Sequence, residues 1–265
     1  EQRGIPQETV DDRGRVVEFG NGRYRTRIFS TSTSRTPFIG AEIARDKHLT
    51  NRYLRAAGLP VPESMVVRTP PQALAAARTI GYPLAIKPAD LGASRGVSLD
   101  VRSDEELLAR FDFAAEAAST SSGKIVIERF VAGNDYRALI VHDRIVAVSR
   151  RMPPQVTGNG KHTIRALIEI ENGNPCRGTR DTSVYKKIVI DDRVLENLAR
   201  VALTLDDVPL DGQEVVLKTS GHRRDGAIHV DVTDTVHPAN AELICTAMKI
   251  VGLDIAGIDV VAPDI

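Results

Sequence analysis

The sequence predicts an α+β protein built on antiparallel sheets, and three observations lead there. Short β-type runs come in neighbouring pairs joined by tight turns, as in Asp135 to Val141 and Arg144 to Arg150 around His142-Asp143. Helical stretches with readable start and stop residues fall between such groups, as in Pro70 to Ile80 with Gly81 just beyond. The 265 residues, 42% of them hydrophobic, can bury a large core in one or two domains. Aromatic residues make up 4% and there is no Trp, so Val, Ile, Leu and Ala must fill that core.

In chain order, Val16 to Phe19 and Tyr24 to Phe29 read as a strand pair about the turn Gly20-Asn21-Gly22. Ser30 to Pro37 is polar and turn-like. One helix is predicted from about Ala41 to Ala57, closed by Gly58 with Pro60 beyond. Ser64 to Arg68 is a strand and Pro70 to Ile80 a helix. Ser103 with Glu106 forms a capping-box pattern that opens a helix to about Ala118. Ile125 to Ile127 is a buried strand ending at Glu128, followed by a turn at Ala132-Gly133-Asn134. Ile164 to Glu171 is predicted helical, Asn172 to Thr182 a polar, mobile loop, and Val194 to Leu205 helical again. Glu214 to Lys218 and Ile228 to Val232 are strands on either side of the basic loop Thr219 to Gly226. A helix from about Ala239 to Val251 ends at Gly252, and Ala256 to Val261 is the last strand.

The most informative stretch is Tyr82 to Val101. A short apolar run, Leu84 to Ile86, ends in Lys87, and Pro88 blocks easy continuation. A loop with Gly92, Ala93, Ser94 and Gly96 turns back into a strand from Val97 to Val101. Small residues let backbone N–H groups approach phosphate oxygens, and the lysine adds a point charge to the same oxygens. A hairpin carrying a surface lysine is the plainer reading, and the stretch alone leaves both open. Lys47 is most simply a solvated helix lysine. Glu128 and Asp135 stand at strand ends, where solvation alone accounts for them. Asp259 lies inside the run Gly257 to Val261, where a carboxylate needs a cation or donors unless the strand is an edge facing water. The segment Thr157 to Thr163 is not a Walker A loop, because Gln155 stands where glycine is required and His162 replaces Ser/Thr. His162 and His222 are expected to be neutral imidazoles bonded locally.

The 35 basic and 35 acidic residues cancel, so charge gives no reason to bind nucleic acid or anionic membrane. No apolar run is long enough to span a bilayer. Two cysteines, Cys176 and Cys245, lack metal-type spacing and suit reduced thiols, so a cytoplasmic location is expected.

Several phrases together resemble the ATP-grasp ligase family: AEIARDK (41–47), GYPLAIKP (81–88), ERFVAGNDYRALIV (128–141), TGNGKHTIRALIEIENGNP (157–175), DVTDTVHP (231–238) and GLDIAGIDVVAPDI (252–265). Within that family the resemblance is to the ATP-grasp region of cyanophycin synthetases first and of fused bacterial glutathione synthetases second. It implies an ATP-grasp fold, with two α+β subdomains clasping ATP. It implies an ATP-dependent carboxylate–amine ligase joining amino acids or peptides through an acyl phosphate. Lys47 and Lys87 would contact the phosphates, and Gly92, Ser94 and Gly96 would close over them. Glu128 and the backbone through Val131 would hold the adenine, and Asp135 the ribose. Arg137 and Arg151 would face the γ-phosphate and the acyl phosphate, and Asp259 would bind Mg²⁺. The implied segments are 1–40 as a leading hairpin, 41–81 as a central part, 82–150 as the lid subdomain and 151–265 as the C-terminal subdomain.

Three departures accompany the resemblance. The family's Glu-x-Asn metal site follows the last strand, and here the sequence ends at Asp264-Ile265. The loop Gly221 to Gly226 differs from the relatives' Gly-Gly loop near the acceptor side. The family's flanking domains are missing, so a longer chain is expected. The alternatives kept are a glutathione-synthetase-like ligase and a nucleotide-binding module without catalysis. Homo-oligomerisation is left open.

Overall fold

The computed structural model describes residues 4–89, 91, 96–119, 122–180 and 182–265. The chain begins with an antiparallel meander, Gln7–Thr9 (β1), Val16–Phe19 (β2), Thr26–Phe29 (β3) and Ser32–Thr33 (β4). Where a single helix is predicted from Ala41 to Ala57 there are two, Phe38–Arg45 (α1) and Lys47–Ala56 (α2). Asp46 causes the break: its extended backbone ends α1, and its carboxylate accepts from Leu49 N at 2.9 Å to cap α2. This places Lys47 at the first turn of a helix rather than along its solvated flank.

The first large layer combines Ser64–Val67 (β5), Pro70–Ile80 (α3), Leu84–Pro88 (β6), Ser98–Val101 (β7), Asp104–Ala118 (α4) and Ile125–Arg129 (β8). Its sheet runs β5-β8-β6-β7, antiparallel throughout. α3 begins with prolines at its first turn and a Thr69 cap, and Ser103 accepts from Glu106 N at 3.2 Å to open α4. Alternation then decides the faces. Leu84, Ile86, Ile125 and Ile127 pack on Ala73, Ala76, Ile80, Leu107 and Phe111 of the helices. Their neighbours Ala85, Lys87 and Glu128 point to the other face, which borders a cleft.

The second sheet has Asn134–Val141 (β9) and Arg144–Met152 (β10) as its inner strands, flanked by Ile255–Ala262 (β16) beside β9 and Ile228–Asp231 (β15) beside β10. His142 and Asp143 both take left-handed φ, 47° and 62°, between the paired Val141 and Arg144. That is the two-residue turn whose twist suits a hairpin. There follow Gln155–Thr157 (β11), Ile164–Asn172 (α5), Arg177–Gly178 (β12), Tyr185–Lys186 (β13), Asp192–Arg200 (α6) and Glu214–Val216 (β14). The chain finishes with Ile228–Asp231 (β15), Pro238–Val251 (α7) and Ile255–Ala262 (β16). α6 stops five residues before the predicted Leu205. Ala202 adopts φ 54°, and Leu203 N bonds back to Leu198 O at 2.9 Å, a helix-closing loop that no glycine announces. Tyr136, Ala138, Ile140 and Val148 bury one face of this sheet against Ile244 and Met248 of α7. A third core joins α5 and α6 to the β11–β14 pair.

The sheets cut across two of the expected segment boundaries. β5 pairs with β8 across residue 81, and β9 and β10 pair with β16 and β15 across residue 150. Among the described residues no helix is long and apolar enough to cross a membrane, and neither cysteine is in a disulfide.

Candidate functional site

The face of the first sheet opposite its helices, the open face of the second sheet, and α6 with β14 enclose one cleft of about 1420 Å³. Lys47, Lys87, Glu128, Val131, Asp135, Arg151 and Asp259 all line it. Residues predicted from positions more than 200 apart in sequence are thus brought to one place.

On the first wall, Lys87 Nζ donates to Glu128 Oε1 at 2.6 Å. The two are diagonal neighbours, since Ala85 pairs with Glu128 and Lys87 with Val126. The side chains are 23% and 12% exposed, and Glu128 Oε2 is buried with no hydrogen-bond partner among the described residues. A buried carboxylate oxygen left open on a cleft wall is suited to a ligand donor. Lys47 donates to the carbonyl of Leu91. That bond ties α2 to the start of the small-residue loop. Gly92 and Ser94 lie outside the described residues. Gly96 is described, but it packs against α4 rather than the cleft. A Cβ there would lie 2.7 Å from Ala117 Cβ and 2.9 Å from Pro88 Cγ.

On the second sheet, alternation puts Asp135 and Arg137 of β9 on the open face, opposite Arg151 of β10 and Asp259 of β16 in the registers Asp135↔Arg151 and Arg137↔Asp259. Arg151 Nη2 reaches Asp135 at 2.6 Å and Asp259 at 3.0 Å, and Arg137 Nη1 reaches Asp259 at 2.7 Å. Asp259 therefore does meet cations, although β16 is an outer strand of its sheet. Arg137 is not part of the cleft wall. It lies over Gly257 and touches the site through Asp259. Burial raises the Asp135 carboxyl above the usual range, more than Arg151 pulls it down, and the neighbouring Asp259 adds to the rise. Arg151 is held more firmly protonated: burial opposes the charge, but the bonds and fields of Asp135 and Asp259 outweigh it. Its Nε is buried with no partner among the described residues.

A third group was not picked out from the sequence. Lys218, 3% exposed, donates to Asp191 Oδ2 at 2.8 Å, and Arg193 bonds both Asp191 at 3.1 Å and Asp225 at 2.6 Å. Lys218, Asp191 and Arg193 line the cleft beside His222. Asp191 is fixed because it caps α6 through Val194 N. The signal was present: Lys218 ends a predicted strand and precedes a polar loop, just as Lys87 does. The two histidines are bonded locally as expected, His162 Nδ1 to Asn159 at 2.9 Å and His222 Nδ1 as acceptor from Arg224 N at 3.1 Å. Burial lowers the affinity of His222 for a proton, which agrees with a neutral ring.

The polar atoms left open in this cleft are one acceptor, Glu128 Oε2, and one donor, Arg151 Nε, which suit a ligand that both donates and accepts hydrogen bonds. The donor set does not suit a metal held by protein alone. Among the described residues no three His, Cys, Asp or Glu side chains gather for one, and the Asp259 Oδ1 atom is occupied by two guanidinium groups.

Comparison with known proteins agrees with this geometry. Residues 46–146 match the family described as carbamoyl-phosphate synthase L chain, ATP binding domain. The cyanophycin synthetase of Geminocystis herdmanii is 39% identical over 266 residues, covering 100% of this chain and 30% of that protein. The glutathione biosynthesis bifunctional protein GshAB of Mannheimia succiniciproducens is 28% identical, covering 100% of this chain and 35% of that protein. Among solved structures, the bifunctional glutathione synthetase of Pasteurella multocida superposes with a TM-score of 0.65 at 26% identity, over 99% of this chain and 35% of that one. A D-alanine–D-alanine ligase from Bacillus anthracis shares the fold at a TM-score of 0.50 and 14% identity, over 86% of this chain and 55% of that one. The chain spans about a third of the length of the curated relatives it matches. The chain thus has the ATP-grasp fold and is similar along its whole length to one stretch of the cyanophycin synthetases and, at lower identity, to one stretch of the bifunctional glutathione proteins.

Proposed function

We propose that this chain binds ATP in the cleft and uses it to join a carboxylate to an amine on amino acids or peptides. The observation that carries the reading is the placement of Lys47 and Lys87 on one wall and Arg151 on the facing sheet of a single cleft. This accompanies identity to cyanophycin synthetases across the whole chain.

The chemistry needs such an arrangement. A carboxylate resists attack by an amine because oxide is a poor leaving group. Transfer of the γ-phosphoryl group forms an O–P bond to the acid and releases ADP. The amine then forms the C–N bond, phosphate leaves, and the amine loses a proton. Negative charge passes between oxygens in both steps, and fixed cations stabilise it. In this reading Lys47 and Lys87 hold the phosphates. Glu128 and the backbone through Val131 hold the adenine edge, and Asp135 accepts from the ribose. Gly92 and Ser94 are assigned to a loop that keeps water from the acyl phosphate, with Gly96 anchoring its end against α4 rather than covering the cleft. Arg151 faces the transferred phosphoryl group, and Arg137 supports it from behind Asp259. For Asp135 to take the ribose it must share its carboxylate with Arg151. Mg²⁺ is the ion expected beside Asp259. The protein donors at hand do not make a site for it, and no step is assigned to it.

The test is ADP release from the intact protein offered ATP with a panel of amino acids and short peptides. Release should require a partner with a free carboxylate and should fall at least tenfold in Arg151→Met. No ADP with any partner, from protein that still binds the nucleotide, would leave a binding module in place of a ligase.

A further inference from the structure

Arg177 falls in a stretch predicted to be a polar loop, yet it is 6% exposed. A guanidinium that deep is costly unless its donors are met. Nε donates to Glu171 Oε1 at 2.8 Å, and Nη1 donates to two backbone carbonyls, Lys186 O and Gly226 O, each at 2.8 Å, while Nη2 is buried with no hydrogen-bond partner among the described residues. The Tyr185 ring lies 5.7 Å away. One planar fork therefore ties α5, β13 and the end of the 222–226 turn together. Arg177 is not on the cleft wall.

The turn that it holds lines the cleft at His222 and is linked to it at the other end through Arg193. Gly226 has a left-handed φ of 94°, and a Cβ there would lie 3.0 Å from Ile188 Cγ1, so its carbonyl has little freedom to turn. The preceding residue, Asp225, is buried and accepts from Arg193, which bonds Asp191, which accepts from Lys218. At the other end Gly221 packs against the central ion pair. A Cβ there would stand 3.0 Å from Arg151 Cβ and 3.1 Å from Asp135 Oδ2. Between the two ends sits His222, on the cleft wall.

We propose that Arg177 is a positioning residue for the cleft: by pinning the 222–226 turn it sets where His222, Arg193 and Lys218 stand relative to Arg151. The proposal rests on the cleft being the ligase site. Arg223 also ties the turn, through the carbonyls of Ser183 and Val184, but on its outer, more exposed side.

The experiment uses the full chain and two variants, Arg177→Met and Arg177→Lys. The lysine keeps the charge but has no fork to reach three acceptors. The first readout is the imidazole NMR titration of His222, with the backbone amide spectrum as the fold control. Asp225, Arg224, Arg151 and His229 are the charged groups acting on His222. The second is binding of AMPPNP, and the third is the rate and KM of ADP release. In Arg177→Met the His222 titration should move up toward ordinary histidine while the backbone amide spectrum keeps its dispersion. AMPPNP affinity should change less than about threefold, because Lys47, Lys87 and Glu128 are untouched. The rate should fall at least tenfold with KM for ATP nearly constant, and Arg177→Lys should recover only part of it. A His222 titration that does not move in either folded variant overturns the proposal. Loss of amide dispersion in both variants makes Arg177 a folding residue and also overturns it. If wild type releases no ADP with any partner, the ligase reading fails. The titration still decides whether Arg177 places the turn.

Discussion

Replacing Lys87 by alanine tests two consequences of one contact. Lys87 Nζ sits 2.6 Å from Glu128 Oε1, with side chains 23% and 12% exposed, and Glu128 Oε2 has no other partner among the described residues. Removing one member of a fully buried pair costs about 3–5 kcal/mol. Here water can enter the space left by a lysine that is already partly exposed, so a loss of about 1–2 kcal/mol is expected. For a chain of this size that is a fall in Tm of about 2–8 °C. The second consequence concerns the nucleotide. A charge-assisted hydrogen bond to a phosphate contributes about 1.5–3 kcal/mol, so the Kd for AMPPNP should rise roughly tenfold to a hundredfold. Isothermal titration and a thermal melt on the same preparation separate the two. Adding Glu128→Gln to Lys87→Ala removes the stranded charge and should recover part of the Tm without recovering the affinity. An unchanged Kd alongside a lowered Tm would refute the reasoning, because Lys87 would then be only the structural half of an ion pair.

Gly257→Ala would place a Cβ 2.2 Å from Arg137 Nη2, the far end of a flexible side chain, so the guanidinium must swing away from Asp259. Tm should stay within about 2 °C of wild type while ADP release falls, and equal loss of both would count against a role for Arg137. Burial pushes the Asp191 carboxyl up, but its bonds to Lys218 and Arg193 prevail and hold it below the usual range. A depressed folded value means stability present above the ordinary carboxylate pKa of about 4 and lost as pH falls through the lower folded value. Tm should therefore drop more steeply below about pH 4 in wild type than in Asp191→Asn, as melts across the acid range would show. Ser103→Ala removes the cap on α4 and should cost about 1 kcal/mol, a few degrees in Tm, with AMPPNP affinity unchanged.

Local chemistry made much of the fold legible. Ser103, Gly81 and Gly252 mark helix ends where the sequence places them, because caps and left-handed closures are set by one or two residues. The His142-Asp143 hairpin followed from the alternation on both sides of it. What stayed hidden depends on distant partners. No local feature says that β8 inserts between β5 and β6, or that Asp46 caps a second helix rather than riding within the first. The candidate site divides in the same way. Lys87, Glu128, Asp135, Arg151 and Asp259, singled out in the sequence, line one cleft. Lys218 stands at the end of a predicted strand, as Lys87 does, but its partner Asp191 and the buried Arg177 came only from packing, since a charged side chain reads as exposed until its partners are known.

The central claim is that the cleft between the two sheets grips a triphosphate so that an acid can be activated. A crystal structure of the protein with AMPPNP tests it most directly. The account predicts the base beside Phe130 and Val131 and the triphosphate within reach of Lys87 and Arg151. A nucleotide seated away from Lys87 and Glu128 would contradict it.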